Sequence, residues 1–278
     1  MNASPTFRWL GIAGLELGGD DQVLAIDPYF TRIPFWRQWI GRIEPDRALV
    51  REKIPVCRHV LVTHAHWDHL MDVPEVANST GASVYGSANT CQLLRLLGVP
   101  GERVHEIRSG DSLNLGPFKV KVLPSEHMKV PWFSPGPITQ DLRPPLRARD
   151  YRMDSCFSFL ISVGNRVLLT DPGERPDPVA TADILLVSPY HDNAYLRSLL
   201  PRVNPKVVIP NHWDDLWRPL SKPVRPMMGP PSWSFPPVQR VNLSHFKQAV
   251  EQLDTTVRVL IPEMFTVYEL ADIMDTLR

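Results

Sequence analysis

Short apolar runs set off by turn residues give the first reading of the chain. Segments 23–26, 59–62, 118–123, 157–163, 166–170, 184–187 and 207–209 are β-branched or alternate apolar with polar positions, and Gly, Pro, Asp or Asn stands near their ends. They predict strands. A helical period appears between some of them. In 90–97 it puts Leu93, Leu94 and Leu97 on one face, 193–200 reads as a second helix, and in 244–253 it aligns Phe246, Val250 and Leu253 behind Ser244 as the expected N-cap. Strands that are partly hairpin-linked and partly helix-separated predict a layered α/β domain rather than a pure parallel sheet.

Two stretches keep neither period. VPWFSPGPITQDLRPP (130–145) and WRPLSKPVRPMMGPPSWSFPP (217–237) carry much of the chain's 29 prolines, and neither can run as a helix or a central strand. Their aromatic content argues against disorder. The expectation is one domain over 1–278 with irregular loops at 129–150 and 217–240. These either simply pack on the surface or shape a substrate site with Trp132, Phe133, Trp213, Trp217, Trp233 and Phe235. No internal repeat is visible.

Composition narrows the class. With 278 residues, 43% of them hydrophobic, the chain can bury a sizeable core. Lys plus Arg and Asp plus Glu are both 30, so no overall basic field exists to hold nucleic acid, and a polyanionic partner would need a local patch. No basic-then-apolar leader opens the sequence and no window approaches the roughly 18 apolar residues of a membrane span. A cytoplasmic protein is therefore expected. Cys57, Cys91 and Cys156 are widely spaced and odd in number, which excludes a disulfide framework and predicts buried small hydrophobes.

The chemistry concentrates in VTHAHWDHLMD (62–72), just after the strand 59–62. Alternating His64 and His66 can face one point while Asp68 and His69, at the turn into a helix, face a second. Two metals from one loop would follow. Imidazole and carboxylate without thiolate suit Zn, with Mn or Fe as alternatives, and one loop cannot complete a coordination sphere. His127, Asp171 and His212 each follow an apolar strand by zero to a few residues, so all three can gather at the same rim. With 9 His in the chain, His-x-His-x-Asp-His would arise by shuffling on the order of one time in a thousand. His191 and Tyr190 follow the strand 184–187 and are weighed as a proton donor or substrate contact against a structural role. His59, His105 and His245 are read as ordinary, Asp183 as a backbone cap, and Arg143, Arg147, Arg149 and Arg152 as loop charges or an anion path.

Thr63-His64-Ala65-His66-Trp67-Asp68-His69 resembles the signature of the metallo-β-lactamase superfamily, and the resemblance spans about 7–215. It implies a four-layer αββα sandwich whose first strand pair is the opening FRWLGIAGLELGGDDQVLAIDPYF, with Gly14 and Asp27 at the family's turn and IDP positions. It also implies that His64, His66 and His127 hold one metal and Asp68, His69 and His212 the other, with Asp171 bridging. IPNHWDD and LLTDPG resemble the branch of ascorbate-phosphate lactonases and N-acyl-phosphatidylethanolamine phospholipase D. At the bridging turn, Pro172 replaces a residue that would carry an N–H.

A pair of divalent ions sharing a bridging hydroxide implies a hydrolase in which Asp68, Asp171 and His191 act. Two cations, two carboxylates and a hydroxide leave about one positive charge, favouring an anionic small-molecule or lipid-like substrate. A phosphodiester, acylated in the preferred form, is expected. A lactone or ester is the alternative, and from another class a non-catalytic metal-stabilised scaffold. Nucleic acid is disfavoured, and apolar loops leave a homo-oligomer open.

Overall fold

Two mixed sheets of seven strands each form the centre of the protein. The structure is a computed structural model that describes residues 4–128, 134–174, 180–228 and 239–275. In chain order the first sheet takes β1 (Thr6–Gly11), β2 (Gly14–Gly19), β3 (Gln22–Ile26), β4 (His59–Leu61), β5 (Ser83–Gly86) and β6 (Val104–Glu106). The second takes β7 (Ser112–Leu115), β8 (Phe118–Pro124), β9 (Phe157–Val163), β10 (Arg166–Leu169), β11 (Ile184–Val187), β12 (Val207–Pro210) and β13 (Arg258–Val259). The last strand, β14 (Val267–Glu269), returns to pair with β1.

Both sheets follow one plan. Three antiparallel pairings are succeeded by three parallel ones, β14-β1-β2-β3 then β3-β4-β5-β6 in the first, β7-β8-β9-β10 then β10-β11-β12-β13 in the second. This duplication lies in the pairing and leaves no sequence repeat. Parallel strands point their C-terminal ends the same way, so the loops after β3, β4, β10, β11 and β12 share one rim.

Helices cover the outer faces: α1 (Arg47–Lys53), α2 (Trp67–Leu70), α3 (Val73–Thr80) and α4 (Ala88–Leu96) on the first sheet, α5 (Asn193–Val203) and α6 (Leu243–Leu253) on the second. The short α7 (Leu270–Asp275) packs Leu270 and Ile273 against the layer between the sheets. That layer interdigitates Phe7, Leu15 and Leu24 with Phe118, Phe159 and Ile209, all at most 1% exposed. Burial on this scale contributes about 2 kcal/mol per large side chain. The arrangement is the expected αββα sandwich. Period-2 alternation survives on β8, where Phe118, Val120 and Val122 are buried and Lys119 and Lys121 exposed, whereas β11 and β12 are buried throughout, as strands covered on both faces must be.

The helix expected over 244–253 begins one residue earlier and is capped by Asn242 rather than Ser244. The Asn242 side chain accepts the His245 N–H at 3.0 Å, leaving Ser244 inside the first turn. Parts of both proline-rich loops, including Trp132, Phe133, Trp233 and Phe235, lie outside the described residues.

Asp72, fully buried at the start of α3, ties the metal-loving loop to the segment after β3 by accepting the N–H groups of Phe30 (2.6 Å) and Thr31 (2.7 Å). Burial pushes its carboxyl up to about 6, against the opposing pull of those amides and of Arg32. A raised folded-state value means that the proton favours the fold. The contribution is full below the unfolded value near 3.8 and is lost as pH rises through about 6. Asp72→Asn keeps an acceptor for the amides without a charge. It should therefore gain up to about 3 kcal/mol on the wild type between pH 4 and pH 7, read by urea unfolding at each pH. A pH-independent difference would remove this account.

Candidate metal centre

β4 stops at Leu61, and the next residues are pinned before the helix begins. Asp27, at the end of β3, accepts the Thr63 N–H at 2.8 Å and the Thr63 hydroxyl. His66 is extended (φ −68°, ψ 153°) and turns the chain into the single turn α2, so His64 and His66 project from the loop while Asp68 and His69 project from the helix. Asp68, His64, His66 and His69 are each at most 4% exposed.

Two triads result. His64, His66 and His127 form one and Asp68, His69 and His212 the other, with the ligand atoms within each triad no more than 4.8 Å apart. In the first, the three rings stand nearly edge to face at centroid distances of 4.6 and 4.8 Å. In the second, Asp68 Oδ2 lies 3.4 Å from His212 Nε2 and 3.8 Å from His69 Nε2. Only 3.9 Å separates the His64 and His69 ring centroids, so the triads adjoin.

Second contacts aim the rings. His69 Nδ1 lies 2.8 Å from Asp27 Oδ2, His64 Nδ1 lies 3.0 Å from the Thr63 hydroxyl, and His127 Nδ1 donates to the Met128 carbonyl at 2.6 Å. Each bond fixes a tautomer and leaves Nε2 for the cavity. His212 has φ +55° and its N–H is held by the Ile12 carbonyl at 3.0 Å. Ile12, itself at φ +51°, donates its own N–H to Asp214 Oδ1 at 2.6 Å, and Asp214 pairs with the buried Arg32. Strained backbone at such a point is held by its surroundings.

Electrostatics suit a cation. Burial, then the neighbouring imidazoles, hold His64 far below the usual imidazole range and His66 down to about 3, so these rings are neutral lone-pair donors. Burial alone would raise the Asp68 carboxyl, but His69 and His212 outweigh it and keep it ionised. His64 Nε2 and Asp68 Oδ1 are buried without any hydrogen-bond partner. Orphaned acceptors of this kind, on neutral imidazole and carboxylate, fit a divalent metal ion.

Asp171 follows β10 by two residues and lines the same cavity but belongs to neither triad. Its Oδ1 accepts the Gly173 N–H at 2.9 Å and its Oδ2 the Ser188 N–H at 2.6 Å. The first N–H beyond Pro172 thus supplies the bond that proline cannot. Gly173 is required there, because at φ +67° an added Cβ would lie 2.2 Å from the Glu126 carbonyl oxygen. Burial would raise the Asp171 carboxyl, and His191 with the two amides overcomes it to lower the group. His191 Nε2 stands 3.7 Å from Asp171 Oδ1, with its ring stacked on Tyr195 at 3.8 Å.

The cavity has a volume of about 440 Å³. Beyond the polar cluster its walls are largely apolar, with Trp67, Met128, Leu216, Trp217, Met227 and Met228. Among the described residues, the second proline-rich loop reaches it through Trp217, Met227 and Met228, whereas from the first side only Met128, just ahead of that loop, lines it. Trp213 does not serve as expected: it stacks on Trp9 at 5.0 Å in the core, because its strand-end neighbour His212 takes the rim position. Cys57 and Cys91 are buried, but Cys156 lines the cavity, its thiol pushed up to about 12 by burial and so kept protonated. Tyr190 also lines it, with a buried hydroxyl that has no partner. Asp183 accepts the Val167 N–H at 3.0 Å, the capping role expected of it. The arginines 143, 147, 149 and 152 line a separate cleft instead.

Asp27, Thr63, Ile12 and Asp214 were not singled out as site residues by sequence reasoning. Two of them left a signal: Thr63 opens the histidine-rich signature, and Asp27 is an acidic residue directly after a buried strand, the same placement as the Asp-Pro at 171–172.

The fold and the paired triads define a four-layer α/β protein with a built metal centre. A family model described as "Beta-lactamase superfamily domain" matches residues 23–189, and the chain belongs to that superfamily on its metallo-β-lactamase side. It is 28% identical over 217 residues to a UPF0173 metal-dependent hydrolase of Carboxydothermus hydrogenoformans, covering 74% of this chain and 83% of the relative. It is 27% identical over 273 residues to one of Desulforamulus reducens, covering 92% and 97%. Among solved structures, Igni18, a metallo hydrolase from Ignicoccus hospitalis, shares the fold at a TM-score of 0.61 with 16% identity, over 96% of this chain and 98% of the other.

Proposed function

We propose that this chain is a metal-dependent hydrolase that holds two divalent cations, zinc foremost with Mn or Fe as alternatives, and cleaves a phosphodiester bearing an apolar portion. The observation that carries this reading is the juxtaposition of two ligand triads with largely apolar walls in one cavity of about 440 Å³. Its relatives' names support the hydrolase class.

When bound, such cations supply an acidified water and a polarised substrate oxygen. The chain's own residues do the rest. Imidazole ligands add no charge, so two divalent ions held against the Asp68 and Asp171 carboxylates would leave an excess of positive charge, which draws an anionic group inward. Asp171, with each oxygen fixed by one backbone N–H, has its remaining lone pairs directed by the fold and would add a carboxylate ligand or accept a proton. His191, oriented by stacking on Tyr195 and close to Asp171, donates a proton to the leaving oxygen. Met128, Met227, Met228 and Trp217 receive the apolar portion, since thioether and indole surfaces adapt to alkyl chains.

Elemental analysis of zinc-reconstituted protein should return two metals per chain, and bis(p-nitrophenyl) phosphate should be turned over faster than a simple lactone. Asp171→Ala should abolish turnover and also cost about 1–3 kcal/mol of stability, since the Gly173 and Ser188 N–H groups lose their acceptors, while His191→Gln should lower kcat on the order of a hundredfold and flatten the pH profile. Preference for the lactone would move the bond type to an ester. Full activity in Asp171→Ala would overturn the reading, and metal binding without any turnover would make the chain a scaffold.

A further inference from the structure

The segment after β3 exposes what a chain with a core this size would ordinarily bury. Four of the ten exposed large apolar side chains among the described residues fall within six positions: Phe35, Trp36, Trp39 and Ile40, at 55%, 53%, 54% and 67% exposure. A continuous apolar patch of this kind marks a contact surface. It is anchored at the mouth of the metal cavity. Phe35 sets its edge on Trp217 at 4.9 Å, and Trp217 and Gln38 both line the cavity.

Charge narrows what the patch meets. No acidic residue occurs in 33–42, whereas Arg37 lies over the Trp36 ring at 4.7 Å and Arg42 donates to the Arg143 carbonyl at 2.9 Å. Arg42 thereby joins the patch to a second cleft of about 500 Å³, lined by five arginines against Asp141 and Asp150. Arg42 and Arg152 are spent holding carbonyls of the 134–152 loop, and Asp150 is engaged by the Arg147 N–H at 2.8 Å. Arg143, Arg147 and Arg149 have no ion pair among the described residues. The whole chain is neutral, so this is a local basic surface.

Indole rings interleaved with arginine beside an unpaired basic cleft match a bilayer interface, where aromatic rings settle at headgroup depth and guanidinium groups meet phosphate. A second copy of the chain is a poorer occupant. In a two-fold contact the face meets itself, which would bring the same arginines together without acids to pair them.

We propose that Phe35, Trp36, Trp39 and Ile40, with Arg37 and the adjoining arginine cleft, dock this protein on an anionic lipid surface. No helix among the described residues is long and apolar enough to cross a membrane, so the attachment is peripheral. Docking there sets the cavity mouth against the bilayer. The proposal rests on the surface alone and holds whichever bond the metal centre cleaves.

Co-sedimentation with phosphatidylcholine vesicles, with and without about one-third phosphatidylserine, tests it. The wild type should bind the anionic vesicles and be released as salt rises. Trp36→Ala combined with Trp39→Ala should weaken binding about tenfold or more, and Arg143→Gln with Arg149→Gln should remove the preference for phosphatidylserine. Both variants should keep the wild-type melting temperature and metal content. Absence of wild-type binding, or binding by the tryptophan variant equal to wild type, overturns the proposal. So does light scattering that shows a dimer split by the tryptophan changes, since a second copy would then be the occupant.

Discussion

Asp68→Ala is expected to hold one divalent cation per chain in place of two and to turn over substrate on the order of a thousandfold more slowly. Asp68 is the one carboxylate within the two triads, and its Oδ2 stands between His212 Nε2 and His69 Nε2. Burial opposes its ionisation, yet the surrounding imidazoles hold it as an anion. Its removal leaves the second triad with two imidazole nitrogens, too few for a stable site, and deletes a negative charge that offsets the cations. The first triad draws all its ligands from His64, His66 and His127, so it should fill normally. His66→Ala is the complementary test and should empty the first triad while sparing the second. Metal analysis together with steady-state kinetics reads both. Two metals retained in Asp68→Ala would mean that the second triad is not a ligand set.

The second large effect belongs to a residue outside the triads. Asp27 is fully buried at φ +43° and joins three groups: the Thr63 N–H, the Thr63 hydroxyl and His69 Nδ1. Asp27→Ala should lower zinc affinity by about 10- to 100-fold, because His69 loses the partner that fixes its tautomer and direction. It should also cost about 2–4 kcal/mol of stability, since the Thr63 amide is left buried without an acceptor. Asp27→Asn separates the two effects. Its carbonyl can still receive the Thr63 amide, but its NH₂ faces His69 Nδ1 and favours the tautomer with the proton on Nε2, the atom needed for the metal. Affinity should fall with most of the stability kept, as measured by zinc competition against a chromophoric chelator and by urea unfolding. Wild-type affinity in Asp27→Asn would show that the carboxylate does not orient His69.

Much of this protein can be read locally. The run 184–187 coincides with β11 because a strand buried on both faces must be apolar throughout, and 157–163 coincides with β9 because Phe157, Phe159, Ile161 and Val163 recur at every second position. The histidine-rich loop could be placed for a similar reason. It directly follows a buried strand, and its four metal-seeking side chains are only one to five residues apart, so a single turn of chain decides their directions. Less legible was the cap of α6, where Asn242 and Ser244 are both competent and only the backbone angles select the first. Trp213 was illegible for another reason: adjacent residues at a strand end point to opposite sides, so the direction of His212 sends the indole into the core.

The sequence by itself determined the element types, the layered α/β class and the loop that seeds the metal centre, since periodicity and strand-end placement act over a few residues. The tertiary structure decided which distant groups complete that centre. His127 and His212 meet the loop because two sheets with the same pairing plan set their C-terminal strand ends at one rim. Asp27, Ile12 and Asp214 acquire their holding roles through contacts across 36 to 202 positions of chain. Asp171 was brought to the same cavity with each of its oxygens oriented by one backbone amide from a distant or turned segment. The exposed indoles beside the arginine cleft are likewise a product of packing, because hydropathy alone would have buried them.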